Sequence, residues 1–365
     1  MAGGAGDDLY MVDHTGDTVI ERANEGALDS VTSSVSYALS ENVENLVLTG
    51  TAAIVGTGNE LDNVLTGNSA ANVLVGLGGN DTYVIGAGDT VVEAVNEGTD
   101  RVISGITHTL ATNVENLTLI GFSAINGTGN ALDNVLNGLL NLASNTLTGG
   151  AGNDTYILGS GDQVVEAANG GTDTVQSGLI HTLGANVENL MLTGFSAING
   201  TGNSLNNTMT GNSGNNTLSG ANGNDTLRGG LGKDTVNGGS GNDTFLFGRG
   251  EGQDLIQDNS GTADKILYDA GINPLDLVIS RQANDLRLTI HGTTDRVTVQ
   301  NWYSAPTTAQ IETIQAGNGQ TMLSAQVDQL IQAMAGFTQQ TGLTWDQAID
   351  QRPQEVQAVL AASWQ

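Results

Sequence analysis

Aspartate residues recur at one fixed place in a glycine-rich unit of nine residues. Three successive units, over residues 220–246, place Asp225, Asp234 and Asp243 at the sixth position. Asp225 and Asp243 are therefore separated by the length of two units. If two units form one coil of a β-solenoid, each carboxylate faces an equivalent carboxylate across the gap between stacked coils. Carboxylates held in this way predict a site for a hard divalent cation.

Looser pairs of the same kind occur earlier in the chain, and each second member lies in a turn rich in Asn, Glu and Gly. The predicted pairs are Asp81 with Asp100, Asp154 with Asp173, and Asp8 with Asp29, each separated by slightly more than two units. The segment that closes the nine-residue array ends at Asp254, which we predict to be its last ligand.

Calcium is the ion that this pattern favours, because it takes about 6–8 oxygen ligands in flexible geometry. A glycine-rich turn exposes carbonyl oxygens, so a stack of turns needs only one or two aspartates for each ion. Magnesium fits less well, since it demands near-octahedral geometry and keeps its waters. Zinc is disfavoured because the chain has no cysteine and its 4 histidines show no i, i+4 pairing.

A metal-free alternative stays open, because turns rich in Asn, Asp and Gly can close β coils through their own hydrogen bonds. This alternative is most relevant at Asn63, Asn72 and Asn207, where asparagine stands in place of the aspartate.

Three much longer repeats position the earlier turns. Residues 79–85 return as residues 152–158, and an earlier copy occupies residues 6–12. After the third long unit the period shortens to nine. Each nine-residue unit ends in a short strand with one inward apolar side chain. These predicted core residues are Leu65, Leu74, Tyr83, Met209, Leu218, Leu227, Val236 and Phe245.

Composition supports an elongated repeat body. The chain has 52 glycines among 365 residues but only 3 prolines, and aromatic residues make up 4%. Its net charge of −29 disfavours nucleic acid and anionic membranes as partners, since both require a basic surface. Bound divalent cations would neutralise this charge; a solvated, halophile-like surface is the alternative. No apolar segment is long enough to span a bilayer.

The pattern changes in the C-terminal third. Alternating strands and all three Trp residues follow the array, which predicts a β cap over the open end of the solenoid. Residues 322–337 carry apolar side chains at helical spacing, and two shorter helices follow. We predict four segments: 1–201 with three long repeats, 202–254 with the nine-residue array, 255–321 as the cap, and 322–365 as a helical tail.

The nine-residue array, its ending over residues 247–254 and the segment 264–315 together resemble the repeats-in-toxin (RTX), haemolysin-type calcium-binding family. The resemblance implies an all-β, right-handed parallel β-roll whose folding is triggered by calcium outside the cell. It also implies secretion from a bacterium by type I secretion machinery through an uncleaved C-terminal signal.

The family pattern also assigns backbone carbonyl ligands. It implies that Gly220 and Asn222 with Asp225 face Gly239 and Gly241 with Asp243, and that Gly229 and Leu231 with Asp234 face Gly248 and Gly250. The same pattern extends to Gly230, Gly232, Gly76, Gly78, Asn96, Gly98, Gly149, Ala151, Asn169 and Gly171.

We therefore expect a calcium-binding structural module, without a catalytic centre, that supports secretion and folding of a larger toxin, enzyme or adhesin. The chain begins inside a repeat unit, so we expect an N-terminal effector or adhesin region to be missing. A catalytic function is disfavoured because neither a G-x-S-x-G nor an H-E-x-x-H motif occurs. A stalk or spacer in a surface adhesin is the alternative function. For the tail, packing on the cap and a role as an export signal or partner helix both remain open.

Overall fold

A computed structural model describes residues 1–23, 25–258, 260–305 and 308–365. The chain forms two compact units, Met1–Thr174 and Val175–Gln365. Each unit is built mainly from short β-strands that stack in parallel.

The first unit contains strands of two to four residues. They are β1 (Leu9–Val12), β2 (Ser30–Ser33), β3 (Tyr37–Ala38), β4 (Asn45–Leu48), β5 (Val55–Thr57), β6 (Val64–Thr66), β7 (Val73–Val75), β8 (Thr82–Ile85), β9 (Thr90–Val92), β10 (Arg101–Ser104), β11 (His108–Thr109), β12 (Asn116–Leu119), β13 (Asn126–Thr128), β14 (Val135–Asn137), β15 (Thr146–Thr148), β16 (Thr155–Leu158) and β17 (Gln163–Val164).

These strands form the two walls of a parallel solenoid. One wall runs from β1 through the even-numbered strands to β16, and every described pairing in it is parallel. The other wall consists of two four-stranded sheets, β3-β5-β7-β9 and β11-β13-β15-β17. Consecutive strands therefore alternate between walls over most of the unit.

The core of this unit contains a ladder of buried apolar side chains along each wall. Leu65 pairs with Tyr83, and Tyr83 with Val102, in parallel register. All three side chains are fully buried, while their strand neighbours point outward because successive side chains alternate faces. Each x-U-x strand thus contributes one apolar group, as its sequence predicts.

The second unit continues with strands of the same type and then changes to antiparallel pairing. Its strands are β18 (Thr174–Ser177, which begins on the last residue of the first unit), β19 (His181–Thr182), β20 (Asn189–Leu192), β21 (Asn199–Thr201), β22 (Thr208–Thr210), β23 (Thr217–Asn222), β24 (Thr226–Arg228), β25 (Thr235–Ser240), β26 (Thr244–Phe247), β27 (Gln253–Ile256), β28 (Lys265–Tyr268), β29 (Leu277–Gln282), β30 (Asp285–Ile290), β31 (Arg296–Val299), β32 (Thr313–Gln315) and β33 (Thr321–Leu323).

Two walls are again present, and antiparallel strands close both of them. Strands β22, β24, β26, β28 and β32 pair in parallel, and β33 adds to β32 in the antiparallel sense. In the facing wall β27 pairs with β31, which continues into the antiparallel β30 and β29. The predicted β cap is therefore continuous with the solenoid walls.

Among the residues described in the second unit, three α-helices follow the strands: α1 (Ser324–Thr341), α2 (Trp345–Gln351) and α3 (Pro353–Leu360). Helix α1 buries Val327, Leu330 and Met334 on one face, and it ends at Gly342, whose left-handed φ of 71° suits a residue without Cβ. Within the described parts of the chain, no helix combines the length and apolarity required to cross a bilayer.

The observed architecture confirms the predicted fold class: an all-β parallel solenoid with a C-terminal β cap and short terminal helices. The four predicted segments, with boundaries at residues 201, 254 and 321, stay predictions.

Candidate metal centres

The two aspartates of every predicted pair lie next to each other in adjacent coils. In each case the Oδ1 atom of the later aspartate accepts a hydrogen bond from the backbone N–H of the earlier one. The N···O distances are 2.7 Å for Asp225–Asp243, 3.0 Å for Asp234–Asp254, 2.8 Å for Asp81–Asp100, 2.8 Å for Asp154–Asp173 and 2.7 Å for Asp8–Asp29. The solenoid thus stacks these carboxylates into ladders, one oxygen of each carboxylate being used by the backbone.

The second carboxylate oxygen has a different environment. Among the described residues, several aspartate Oδ2 atoms are buried and have no hydrogen-bond partner: those of Asp8, Asp29, Asp81, Asp154, Asp225, Asp234 and Asp243. An unsatisfied buried carboxylate oxygen is costly. A cation between the coils would satisfy these atoms, so the residues present fit a calcium ion.

The surroundings of these carboxylates disfavour their ionised form. Burial raises the pKa of Asp225 and of Asp234 to about 6, and neighbouring carboxylates, including Asp243 near Asp225, add to the effect. Burial likewise raises the pKa of Asp81 and of Asp254 to about 7. Desolvation and like charges both destabilise the ionised state, and a bound cation would reverse both effects.

Asparagine positions in the ladder are satisfied without a cation. The Asn63 Oδ1 atom accepts the backbone N–H of Asn59 at 2.7 Å, and its Nδ2 donates to the carbonyls of Val43 and Glu44 at 3.2 Å. Asn207 makes the corresponding bonds. The metal-free closure that the sequence left open is therefore the arrangement at these asparagine turns.

The predicted carbonyl ligands lie in the segments immediately before the aspartates. Gly220 and Asn222 precede Asp225; Gly229, Gly230, Leu231 and Gly232 precede Asp234; Gly239 and Gly241 precede Asp243; Gly248 and Gly250 precede Asp254; Gly76 and Gly78 precede Asp81; Asn96 and Gly98 precede Asp100; Gly149 and Ala151 precede Asp154; Asn169 and Gly171 precede Asp173. Their role as ligands stays a prediction.

Some of these groups already have partners. The Gly232 carbonyl accepts the backbone N–H of Gln253 at 3.2 Å, and the Gly239 carbonyl accepts the Ser260 hydroxyl. Gly98 allows close stacking, because a Cβ there would overlap the Gly79 carbonyl.

A guanidinium group lies close to Gly248. Arg228 donates from Nε to Glu251 Oε1 at 2.7 Å and from Nη1 to Asp269 at 3.1 Å. A Cβ at Gly248 would meet Asp269, Arg228 and Glu251. At this turn a side chain of the protein supplies positive charge next to the array.

Sequence reasoning did not select the glutamates that join three of the aspartate pairs. Ligand oxygens of Asp8, Glu21 and Asp29, of Asp81, Glu93 and Asp100, and of Asp154, Glu166 and Asp173 lie within 4.8 Å of one another. A signal was present, because a glutamate follows the tyrosine of each long repeat at nearly the same spacing.

A fourth cluster brings together Asp243, Asp258 and Asp264. Asp258 and Asp264 were not predicted, because they follow the last nine-residue unit in a segment that has no repeat to compare. Burial and the charge of Asp264 raise the pKa of Asp258 to about 8.

Comparisons with known proteins agree with this geometry. The description "RTX calcium-binding nonapeptide repeat (4 copies)" matches residues 57–92, 128–162, 201–236, 210–245 and 219–256. The description "Haemolysin-type calcium binding protein related domain" matches residues 285–322.

Two individual proteins show more limited similarity. The endo-1,3-1,4-beta-glycanase ExsH of Rhizobium meliloti is 39% identical over 74 residues, which are 20% of this chain and 16% of that protein. The second is the extracellular lipase LipA from Serratia marcescens, whose crystal structure has a TM-score of 0.18 to this chain. The sequence identity is 16%, and the alignment covers 75% of this chain and 43% of the lipase chain. The chain thus spans less than half of either protein.

Proposed function

Because this chain carries the calcium-binding nonapeptide repeats and the related domain of RTX haemolysin-type proteins, we propose that it is a structural module that folds outside the cell when calcium binds. In this proposal it has no catalytic centre and supports a larger secreted bacterial protein, which is a toxin, an enzyme or an adhesin. RTX repeats bind Ca²⁺, and acidic groups cluster in the turns of this chain.

The single observation that carries the proposal is the set of buried aspartate oxygens without partners. Asp225 and Asp243 are 1% and 0% exposed, and both Oδ2 atoms lack hydrogen bonds. Without a cation, the folded state is destabilised by the desolvation of these charges and by their mutual repulsion. With a cation, the same groups become ligands that hold adjacent coils together.

Folding and calcium binding should therefore be coupled. Glycine loses more backbone entropy on folding than any other residue, and this chain has 52 of them. The binding free energy of the ions would appear as folding free energy. Extracellular calcium modules typically bind at about 10⁻⁴–10⁻³ M, so the sites would stay empty in the cytosol and fill outside.

The C-terminal tail extends the proposal to export. By the family resemblance, residues 322–365 would carry an uncleaved signal for type I secretion machinery. In the folded protein α1 buries Val327, Leu330 and Met334, so this segment would be accessible to a transporter before the cap folds. An unfolded, calcium-free chain inside the cell meets that requirement.

A stalk or spacer of a surface adhesin is the second candidate function. The long unit occurs three times within residues 1–201, and its asparagine turns close without a cation. Repetition of this kind adds length without adding a new surface.

Circular dichroism with calcium, with magnesium and with excess EGTA tests the proposal. We expect strong β signal and a cooperative melt only with calcium, and recovery of both when calcium is added back to the chelated sample. Unchanged β signal and melting temperature in EGTA would contradict calcium-coupled folding.

A further inference from the structure

Each of the three long repeats places a glutamate and a tyrosine beside its aspartate pair. In the second repeat the tyrosine is Tyr83 on β8, which is fully buried and donates its hydroxyl hydrogen bond to Glu93 Oε1. Tyr156 donates to Glu166, and Tyr10 donates to Glu21. The nine-residue array lacks this pair, since its strands carry Met209, Leu218, Leu227, Val236 and Phe245 at the tyrosine position.

In the second repeat, Glu93 and Asp100 lie in the turn between β9 and β10, and this turn stacks on the turn that contains Asp81. Glu93 follows β9 and is 7% exposed, whereas Asp81 and Asp100 precede β8 and β10 and are each 1% exposed. The tyrosine hydroxyl holds one oxygen of the glutamate. The other oxygen, Glu93 Oε2, is buried and has no hydrogen-bond partner, as is Asp81 Oδ2.

The separation of these oxygens suits a calcium ion. The ligand atoms of each cluster lie within 4.8 Å of one another. The oxygens around one calcium ion lie at most about 4.6–5.2 Å apart, because each is about 2.3–2.6 Å from the ion. A shared calcium ion can therefore contact all three carboxylates.

A glycine shortly before the first aspartate of the pair leaves room for these oxygens. A Cβ at Gly76 would overlap Asp81 Oδ2 and the Tyr83 hydroxyl and would lie 2.5 Å from Glu93 Oε1. A Cβ at Gly149 would likewise overlap Asp154 Oδ2 and the Tyr156 hydroxyl. A side chain at either glycine would therefore occupy the space in which the ligand oxygens lie.

We infer that each long repeat contains a calcium site of its own composition, in which a tyrosine-held glutamate joins the two stacked aspartates: Asp8, Glu21 and Asp29; Asp81, Glu93 and Asp100; and Asp154, Glu166 and Asp173. This inference rests on the proposed calcium-coupled folding and adds a glutamate ligand, held by a tyrosine, to the three aspartate pairs outside the nine-residue array. Three carboxylates attract a dication more strongly than the two aspartates of the Asp225–Asp243 gap. The long-repeat sites therefore fill at lower calcium concentration than the two-aspartate gap between Asp225 and Asp243.

Calcium stoichiometry of the full chain tests the composition of these sites. The triple variant Glu21→Gln, Glu93→Gln and Glu166→Gln should bind three fewer ions in equilibrium dialysis, and the tight phase of the titration should lose three equivalents. A control with Asp13→Asn, Glu41→Gln and Glu60→Gln removes the same charge from exposed positions and should bind as many ions as the wild type.

Terbium luminescence gives a readout that does not depend on the glutamate variant folding. Tyr83 contacts Glu93 directly, so Tb³⁺ at the site should emit on tyrosine excitation, and this emission should develop first in a titration. The triple variant Tyr10→Phe, Tyr83→Phe and Tyr156→Phe should lose most of that early emission, keep its calcium stoichiometry and bind about 10–100-fold more weakly at these sites. Tyr37→Phe is the matched control and should leave the emission unchanged.

The outcomes separate this inference from the proposed function. A wild-type chain that binds no calcium would overturn both. A wild type that folds with calcium, together with a glutamate variant of unchanged stoichiometry and affinity, would overturn only the long-repeat sites. Full early terbium emission in the triple tyrosine variant would also overturn only the long-repeat sites.

Discussion

At the residue scale, the exchange of aspartate for asparagine decides whether a turn needs a cation. Both side chains place an oxygen toward a backbone N–H: Asn63 does so toward Asn59, and Asp243 toward Asp225. The asparagine then donates through Nδ2 to carbonyls of the preceding coil, whereas Asp243 Oδ2 has no partner. The asparagine turn is closed by hydrogen bonds of its side-chain amide, whereas the aspartate turn leaves a buried carboxylate oxygen that has no partner.

This difference predicts opposite effects of Asp225→Asn with and without calcium. With calcium at about 100 times its dissociation constant, loss of one site should reduce the free energy of unfolding by about 2–3 kcal/mol. In EGTA the same change should stabilise any residual fold, because it removes a buried charge. Thermal melts of the wild type and of Asp225→Asn, in calcium and in EGTA, measure the two changes in stability.

Asp13→Asn removes the same charge from an exposed position and should change neither melt. Equal destabilisation of Asp225→Asn in calcium and in EGTA would show that the carboxylate acts only as a turn residue.

At the element scale, a histidine links the terminal helices to the β cap. His291 follows β30; its Nδ1 lies 2.9 Å from Asp346 Oδ1 and its Nε2 lies 3.0 Å from Asp350 Oδ1. The two aspartates are one turn apart on α2. An ionised carboxylate only accepts hydrogen bonds, so both contacts are hydrogen bonds only when both ring nitrogens carry a proton. The hydrogen bond to Asp346 raises the pKa of His291 above its usual range, which favours this protonated form.

The link should therefore weaken with rising pH. A raised pKa in the folded state gives stability that is complete below the ordinary value near 6.5 and is lost as pH rises through the folded value. Hydrogen exchange in α2, corrected for intrinsic rates, should be slower at about pH 6 than at about pH 9. His291→Ala should remove this difference, whereas His14→Ala, at an exposed turn, should retain it. A pH dependence that survives His291→Ala would refute the link.

At the scale of the whole molecule, the acidic ladders make stability depend on pH as well as on calcium. Burial raises the pKa of Glu93 to about 8 and of Asp81 and Asp254 to about 7. A carboxyl group with a raised folded-state pKa contributes stability below its ordinary value, and this contribution is lost as pH rises through the folded value. Protonation thus partly replaces the cation.

We expect the calcium-free chain to gain β structure as the pH falls from about 8 towards about 4, the interval between these raised folded-state values and the ordinary carboxyl values. With calcium the opposite trend should hold, since protons compete for the ligands. Circular dichroism at fixed temperature, with EGTA or with calcium, checks both trends. Loss of structure by the chelated chain on acidification would contradict this explanation.

The sequence by itself determined the period of the solenoid, its inward residues and the pairing of its aspartates. A strict repeat converts spacing along the chain into position in space, so a separation close to two nine-residue units places Asp225 beside Asp243 and Asp81 beside Asp100. A β cap and three helices were also predicted from alternation and helical spacing, whereas the antiparallel pairing of the cap strands is seen only in the structure.

Only the tertiary structure decided which further groups reach those gaps. Asp258 and Asp264 follow the last nine-residue unit, where no repeat specifies the direction of a side chain. Glu93 recurs with the long repeats, but only the fold shows that its side chain reaches the gap between Asp81 and Asp100. Arg228 meets Glu251 and Asp269, which lie far from it along the chain, and this contact depends on how the last coil packs against the cap. Repetition encodes positions within the period, whereas contacts outside it arise from packing alone.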